Sequence, residues 1–489
     1  IEASALLVAI GIEGRSEYGD VSVSNAGSIS VEGVYGGGVG IQAYSGLGNV
    51  TAANSGHVLA GSTYGTAIGV TGYSVLGNSN VGNSGTIDAA GYYGAYGIVS
   101  QSEYGSAVAG NTSTGHIHAE APSHAYGMFA RAYGAVTVNN AGSVSASADA
   151  GGIAAAVLME SLHGSSTLNN ASTGVIGVSG TDGYAFAVIG SDAVDTINNS
   201  GRINGALSLY AGNDVFNNAA SGTWDVGGTL STDFGDGDDV VNNAGLVRFN
   251  DGAISFGGAD ASNRFNNTGT VRAFGENLVS MGDGVFTNSN LLDFIDGHTD
   301  DALAIEGDFA GTGRMNIDLD LAGSADQLFI DGTVAANAVQ TVNVLFEGMP
   351  TTAHTSVAFA RVTGTSAAGN FVGGQMIGYN EPANFLDLDL NVTSQLNAAN
   401  TAADVFYVNL DVVGLNDTGA LAASVASGAA GFLNSQVGTF RQRLGANPYG
   451  DAGSVMSAFV RAYTDEGDVS PDHVAANFHQ AFGAFQRNF

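Results

Sequence analysis

Apolar and polar positions along this chain alternate in short runs, and the runs recur. Between Gly85 and Gly115 they lie at 86–89, 95–99 and 106–109, separated by Gly, Ser, Asn and Tyr-Gly pairs. None has the length or the 3.6-residue period of a helix, so each is read as a strand. Each set of three closes on one phrase: Asn, a small residue, Gly, any residue, then Ile or Val. It reads Asn25-Ala26-Gly27-Ser28-Ile29, Asn54-Ser55-Gly56-His57-Val58 and Asn83-Ser84-Gly85-Thr86-Ile87. It returns at Asn140, Asn199, Asn243 and Asn267, with looser copies ending at Gly115, Gly174 and Gly222.

Successive Gly of the phrase are 29, 29, 30, 27, 32, 27, 21, 23 and 24 residues apart. That period suits one coil of a solenoid. The predicted fold is therefore all-β: a right-handed parallel β-helix with three short strands per coil. Side chains alternate along a strand. Ile29, Val58, Ile87, Ile117, Val144, Ile203, Val247 and Val271 should thus form one buried column. The Gly is expected in a turn with positive φ, an expectation strengthened where Asn290 replaces it in Asn288-Ser289-Asn290-Leu291-Leu292. The leading Asn should stack as an amide ladder with a structural role.

The phrase fades near residue 300. Strands continue at 341–346, 385–392 and 405–413. After Gly414 the pattern turns helical: Asn416-Asp417-Thr418 reads as an N-cap, Leu421, Val425, Phe432, Val437, Phe440 and Leu444 follow at near-helical spacing, and Gly445 and Pro448 stop the run. Residues 454–463 and 477–489 read as strands again.

Composition narrows the functional classes. Net charge is −33, there is no Lys, and three of the twelve Arg precede residue 247. That balance argues against nucleic acid and anionic membrane surfaces as partners. There is no Cys, hence no disulfide or thiolate metal site. With 74 Gly but no three-residue period collagen is excluded, and 44% hydrophobic residues argue against disorder.

Several residues invite chemistry. Asp195, Asp214 and Asp239 each stand four residues before the end of an Asn-Asn pair, so coils in register would stack them. Gly235-Asp236-Gly237-Asp238-Asp239 is similar to the loops of calcium-binding β-rolls. Asp195, Asp214, Asp236, Asp238 and Asp239 are thus calcium candidates, the alternative being solvated turn residues. No cofactor is required. His116, His118 and Glu120 alternate on one strand with His124 following, a zinc-compatible spacing or simply a polar face. Tyr18, Tyr35, Tyr64, Tyr93, Tyr104, Tyr126 and Tyr133 mostly precede Gly and either form an adhesive, sugar-binding face or pack on one another in turns. No nucleophile elbow, phosphate loop or zincin motif is present, and a lyase cleft would need Lys and Arg that the coils lack.

In this order the chain resembles a Gram-negative autotransporter of the type V secretion family. The Asn-Ala-Gly-x-Ile coils resemble a passenger β-helix. Residues 307–332, with Asp326-Gln327-Leu328-Phe329-Ile330-Asp331-Gly332, are similar to the pertactin-like C-terminal passenger region that assists folding. The helix and Ala458-Phe459-Val460-Arg461-Ala462-Tyr463 resemble the linker and first strand of the translocator barrel. The resemblance implies a repetitive passenger at 1–300, an autochaperone region at 301–415, a linker helix at 416–450 and the start of a translocator at 451–489. The residues after Tyr463 are too few for a complete barrel. It also implies a mature exported chain, displayed at the cell surface and tied to the outer membrane. The function expected is that of a non-enzymatic adhesin or structural stalk, contacting a host or environmental surface, a glycan or another copy of itself. A glycan-cleaving β-helix enzyme and a self-assembling surface layer or filament are the alternatives.

Overall fold

Each coil is closed by hydrogen bonds to its neighbours rather than within itself. In the computed structural model Ser55 N donates to Asn25 O and Ser84 N to Asn54 O, both at 2.8 Å, so equivalent residues stand one above the other. The structure describes residues 1–179, 184–227, 230–258, 262–346, 350, 352–379, 385–397, 402–445, 458–469 and 476–487, with side chains to 431 and at 433. The result is a parallel β-helix of about 13 turns.

Three faces make a coil. The first carries strands such as His57–Ser62, the second Thr66–Ser74 and the third Ser79–Asn83. Each pairs in parallel with its counterparts in adjacent coils. The expected inward column is present: Ile29, Val58, Ile87, Ile117, Val144, Ile203, Val247 and Val271 are in register, and Ile176 and Trp224 complete it. None is more than 2% exposed.

The Gly of the phrase has a different reason from the one expected. Neither it nor Asn290 has a positive φ. What it needs is closeness between coils: a Cβ on Gly56 would lie 1.9 Å from Gly27 O, and one on Gly85 1.9 Å from Gly56 O. At Asn290 a side chain fits, and its Nδ2 donates to Gly269 O at 2.9 Å.

The amide ladder is complete from Asn25 through Asn54, Asn83, Asn111, Asn140, Asn170, Asn199, Asn218, Asn243 and Asn267 to Asn288. Every Nδ2 donates to the Oδ1 of the next coil at 2.8–3.0 Å. All eleven side chains are buried. The last hands its Nδ2 to Gln340 Oε1 at 2.7 Å. A buried amide left unpaired would be costly, so the ladder holds the corner in register.

The cross-section changes midway. Up to Ile153–Ser161 the second-face strands have nine residues; Ala206–Ser208 and Ala253–Ser255 have three. In the long coils the backbone itself fills the interior, since a Cβ on Gly69 would stand 2.2 Å from Ile87 Cγ2. The short coils are filled by Phe216, Trp224, Phe234, Phe256, Phe265 and Phe286, with Phe234 stacked 4.9 Å from Phe256.

The C-terminal end is closed differently. His354–Val362 pairs antiparallel with Asp404–Leu415, which pairs antiparallel with Leu386–Gln395. This turns the last coil away from further parallel growth, a common defence of an open sheet edge. The helix Asp417–Gly445 follows as expected, its Gly419 N–H capped by Asn416 Oδ1 at 2.9 Å. Ala458–Val469 and Ala476–Arg487 form an antiparallel pair. The expected helix stop at Pro448 and the strand ends at 454–457 and 488–489 lie outside the described residues.

Candidate functional site

Three sets of side chains were singled out by sequence, and the fold treats them differently. Asp195, Asp214 and Asp239 do stack, at the corner where the second face passes to the third. They sit inside that corner, fully buried, and are not turn residues in solvent. Their column reads Val21, Val50, Ser79, Ala107, Val136, Ser166 and Asp195 along the coils, so an apolar lining gives way to a polar one.

One oxygen of each Asp has a backbone role. Asp214 Oδ1 accepts Asp195 N–H at 2.7 Å, Asp239 Oδ1 accepts Asp214 N–H at 2.8 Å, and Asp195 Oδ2 accepts Ser191 N–H at 2.8 Å. Asn263 Oδ1 ends the series on Asp239 N–H at 2.9 Å. Asp214 Oδ2 and Asp239 Oδ2 are buried without a partner, and the buried carboxyl of Asp195 has the Ser166 hydroxyl beside it. Burial pushes Asp195 up to about 7, Asp214 to about 8 and Asp239 to about 7, against the pull of the backbone amides. The column is accordingly a stack of carboxyls that hold their protons near neutrality.

Asp236 and Asp238 point elsewhere. Both are exposed on the outer loop, where Asp238 Oδ1 accepts Ser262 N–H at 2.8 Å. The five acids therefore do not converge as a calcium loop, which needs six to eight oxygens around one point. Among the described residues no group of three or more His, Asp or Glu side chains is placed to hold a metal ion. His116 shares an outward column with His57 and Thr86. His118 bonds Ser145 Oγ at 2.9 Å, and Glu120 lies 3.8 Å from it.

The tyrosines form lines along the axis. At the corner between first and second faces, Tyr35 stacks on Tyr64 at 5.4 Å, Tyr64 meets Tyr92 edge-on at 6.3 Å, and Tyr93 adjoins Tyr92. At the next corner Tyr104 lies 6.2 Å from Tyr133, which packs on His163 at 4.3 Å. Tyr18 is 85% exposed, and Leu47 and Leu76 are exposed on the same side. The corner tyrosines are thus stacked on one another and still exposed. Tyr126 is not a corner residue. It lies within the second-face strand His124–Ala132, half-buried against Tyr96 at 5.3 Å.

That second face carries what the sequence reading missed. Its outward columns run Ile10, Val39, Ile68, Tyr96, Tyr126, Ala155 and Phe186, and beside it Glu13, Gln42, Thr71, Val99, Phe129, Leu158 and Ile189. The signal lay in Gly11, Gly40, Gly69, Gly97 and Gly127, which break strict alternation and put the residues just before them outside.

Two concavities complete the surface. A groove of about 760 Å³ follows the Asn corner past Ala53, Gly82, Gly110 and Asn139. Further along, an outer amide row donates the opposite way to the buried ladder, Asn169 to Asn139 and Asn198 to Asn169 at 2.9 and 3.0 Å. A second hollow holds His298, Asp300, Asp318 and Asp320. Asp318 Oδ2 is committed to the amides of Asp296 and Gly297, and Asp320 Oδ1 to that of Ala322. Asp318 and Asp320 thus cap turns. No known family model matches the chain, and no curated protein matches it.

Proposed function

We propose that this protein is a non-enzymatic adhesive stalk, the passenger part of a surface-displayed autotransporter, which binds glycan-bearing surfaces through its corner tyrosines. The observation that carries this reading is the pair of exposed aromatic lines on a rigid frame. Tyr35, Tyr64 and Tyr93 lie along one edge and Tyr104 and Tyr133 along the next. Rings offer flat apolar area with a polar tip, the chemistry that meets a sugar face. Coil spacing repeats that contact roughly every 4.8 Å, so weak contacts sum by avidity. The export and surface location rest on the resemblance of the passenger, linker and strand order. In the hollow at His298, Asp318 and Asp320 are engaged in capping turns, which favours binding over glycan cleavage.

The test is retention of the full chain on immobilised polysaccharides, against a Tyr35→Ser/Tyr64→Ser/Tyr93→Ser variant with an unchanged melting curve. Loss of retention supports the proposal. Equal retention, or release of shortened glycan during incubation, overturns it.

A further inference from the structure

We propose that the outer surface of the second face, over its first six coils, is a self-recognition surface on which a second copy of this chain docks antiparallel. This goes beyond the adhesive reading and depends on neither the surface location nor the corner tyrosines.

The first and third faces present mainly Ser, Thr, His, Asn and acids outward, with Leu59 and Val175 the exposed apolar exceptions on the first. The second presents half-buried Ile10, Ile68, Tyr96 and Tyr126 in one column and half-buried Phe129 in the next, with Val39, Val99 and Leu158 packed among them at 9% exposure or less. Ala155, Leu158 and Ile189 pack with Tyr126, Phe129 and Phe186 into an apolar cluster separate from the interior. The six strands, Val8–Ser16 to Ile153–Ser161, carry two Glu and two Arg. On a chain of net charge −33 this is a neutral, apolar plane.

Its size fits a partner protein. Nine residues at ~3.3 Å by six coils at ~4.8 Å give roughly 850 Å² per copy, so about 1,700 Å² in all, the standard size of a specific complex.

The charges select the orientation. A third outward column reads Arg15, Tyr44, Tyr73, Gln101, Arg131 and Glu160. A two-fold axis lying in the interface along the strand direction, between the third and fourth coils, sets each column against itself in reverse. Arg15, paired in its own chain with Glu17 at 3.1 Å, then faces Glu160 of the other copy, itself paired with Arg131 at 3.3 Å, so the docked copies join the two ion pairs into one network; Tyr44 faces Arg131, and Tyr73 faces Gln101. In the neighbouring column Ile68 faces Tyr96 and Val39 faces Tyr126. Arg15 already lies 4.5 Å over the Tyr44 ring within one copy, so an Arg on this tyrosine is a geometry the face accepts. A parallel arrangement about an axis along the solenoid at the centre of the face reverses the order of the columns instead, setting Arg15 against Ile10, Arg131 against Tyr126 and Glu160 against Ala155, so that the charges meet no partner.

Sedimentation equilibrium of the full chain tests this. The wild type is expected to dimerise, and Phe129→Asp to be monomeric. Arg15→Glu and Glu160→Arg should each weaken the dimer by about tenfold or more, and the double swap should restore it to within about threefold. Arg15 is exposed, so its variant remains informative even if Phe129→Asp fails to fold. A wild type that stays monomeric at all accessible concentrations overturns the proposal. So does a dimer indifferent to the single swaps, or a double swap no better than either single.

Discussion

The backbone amide of Asp195 donates to Oδ1 of Asp214 one coil away at 2.7 Å, while the other oxygen of Asp214 is buried and meets nothing. A carboxylate so placed would leave a charge unpaired in the wall of the solenoid. A carboxyl group does not, and the chain keeps the hydrogen bond while shedding the charge.

Stability should therefore fall as pH rises. Unfolded carboxyls titrate near ~3.9, whereas Asp195, Asp214 and Asp239 are raised to about 7, 8 and 7, and Asp326 to about 8, all first by burial. Between these values the folded state binds more protons than the unfolded. The stabilisation is full below about pH 4 and is lost as pH climbs through about 8. Melting curves across this range check it; a midpoint rising from pH 5 to 9 would contradict it.

Asp214→Asn keeps an acceptor for the Asp195 amide and removes one titrating group. The variant should lose part of the pH dependence and melt above the wild type at alkaline pH. A chelator should shift neither curve, because the donor oxygens do not converge on a cation. A chelator-induced fall in melting temperature would restore the calcium reading.

The two amide rows should differ in weight. Asn111→Ala leaves buried partners on both sides, Asn83 Nδ2 and Asn140 Oδ1, and should cost about 2–3 kcal/mol. Asn242→Ala, in the exposed outer row, should cost well under about 1 kcal/mol. Denaturant titrations of both variants decide it.

Gly69 stands where a side chain would enter the space of Ile87, and Ile117 belongs to the inward column. Gly69→Val should destabilise by overpacking, by about 1–3 kcal/mol. Ile117→Asp should cost several kcal/mol by burying an unpaired charge. Equal stability of Ile117→Asp and wild type would place that column outside.

Removing residues 301–415 takes away the antiparallel closure of the C-terminal end. The remaining 1–300 should refold slowly and be protease-sensitive, while a chain lacking 1–115 should stay folded, since solenoid coils propagate from their most stable part. Refolding kinetics and limited proteolysis measure both.

What the sequence by itself determined was everything carried by its period. The phrase sets the coil length, three strands per coil, the inward column from Ile29 to Val271 and the amide ladder, because each depends only on residues recurring one coil apart. The helix Asp417–Gly445 was legible too, through Asn416 and the apolar spacing beyond it. Tertiary structure decided which side of the wall a residue takes at a corner, where alternation is suspended. Asp239 turns inward and Asp238 outward although they are adjacent. It placed Tyr126 on a face instead of a turn and gave the phrase Gly its steric reason, the approach of one coil's carbonyl to the next. The second-face columns emerged only there, because Gly40, Gly69, Gly97 and Gly127 shift the strand's inward–outward sequence, and the closeness that requires those glycines comes from the opposite side of the coil.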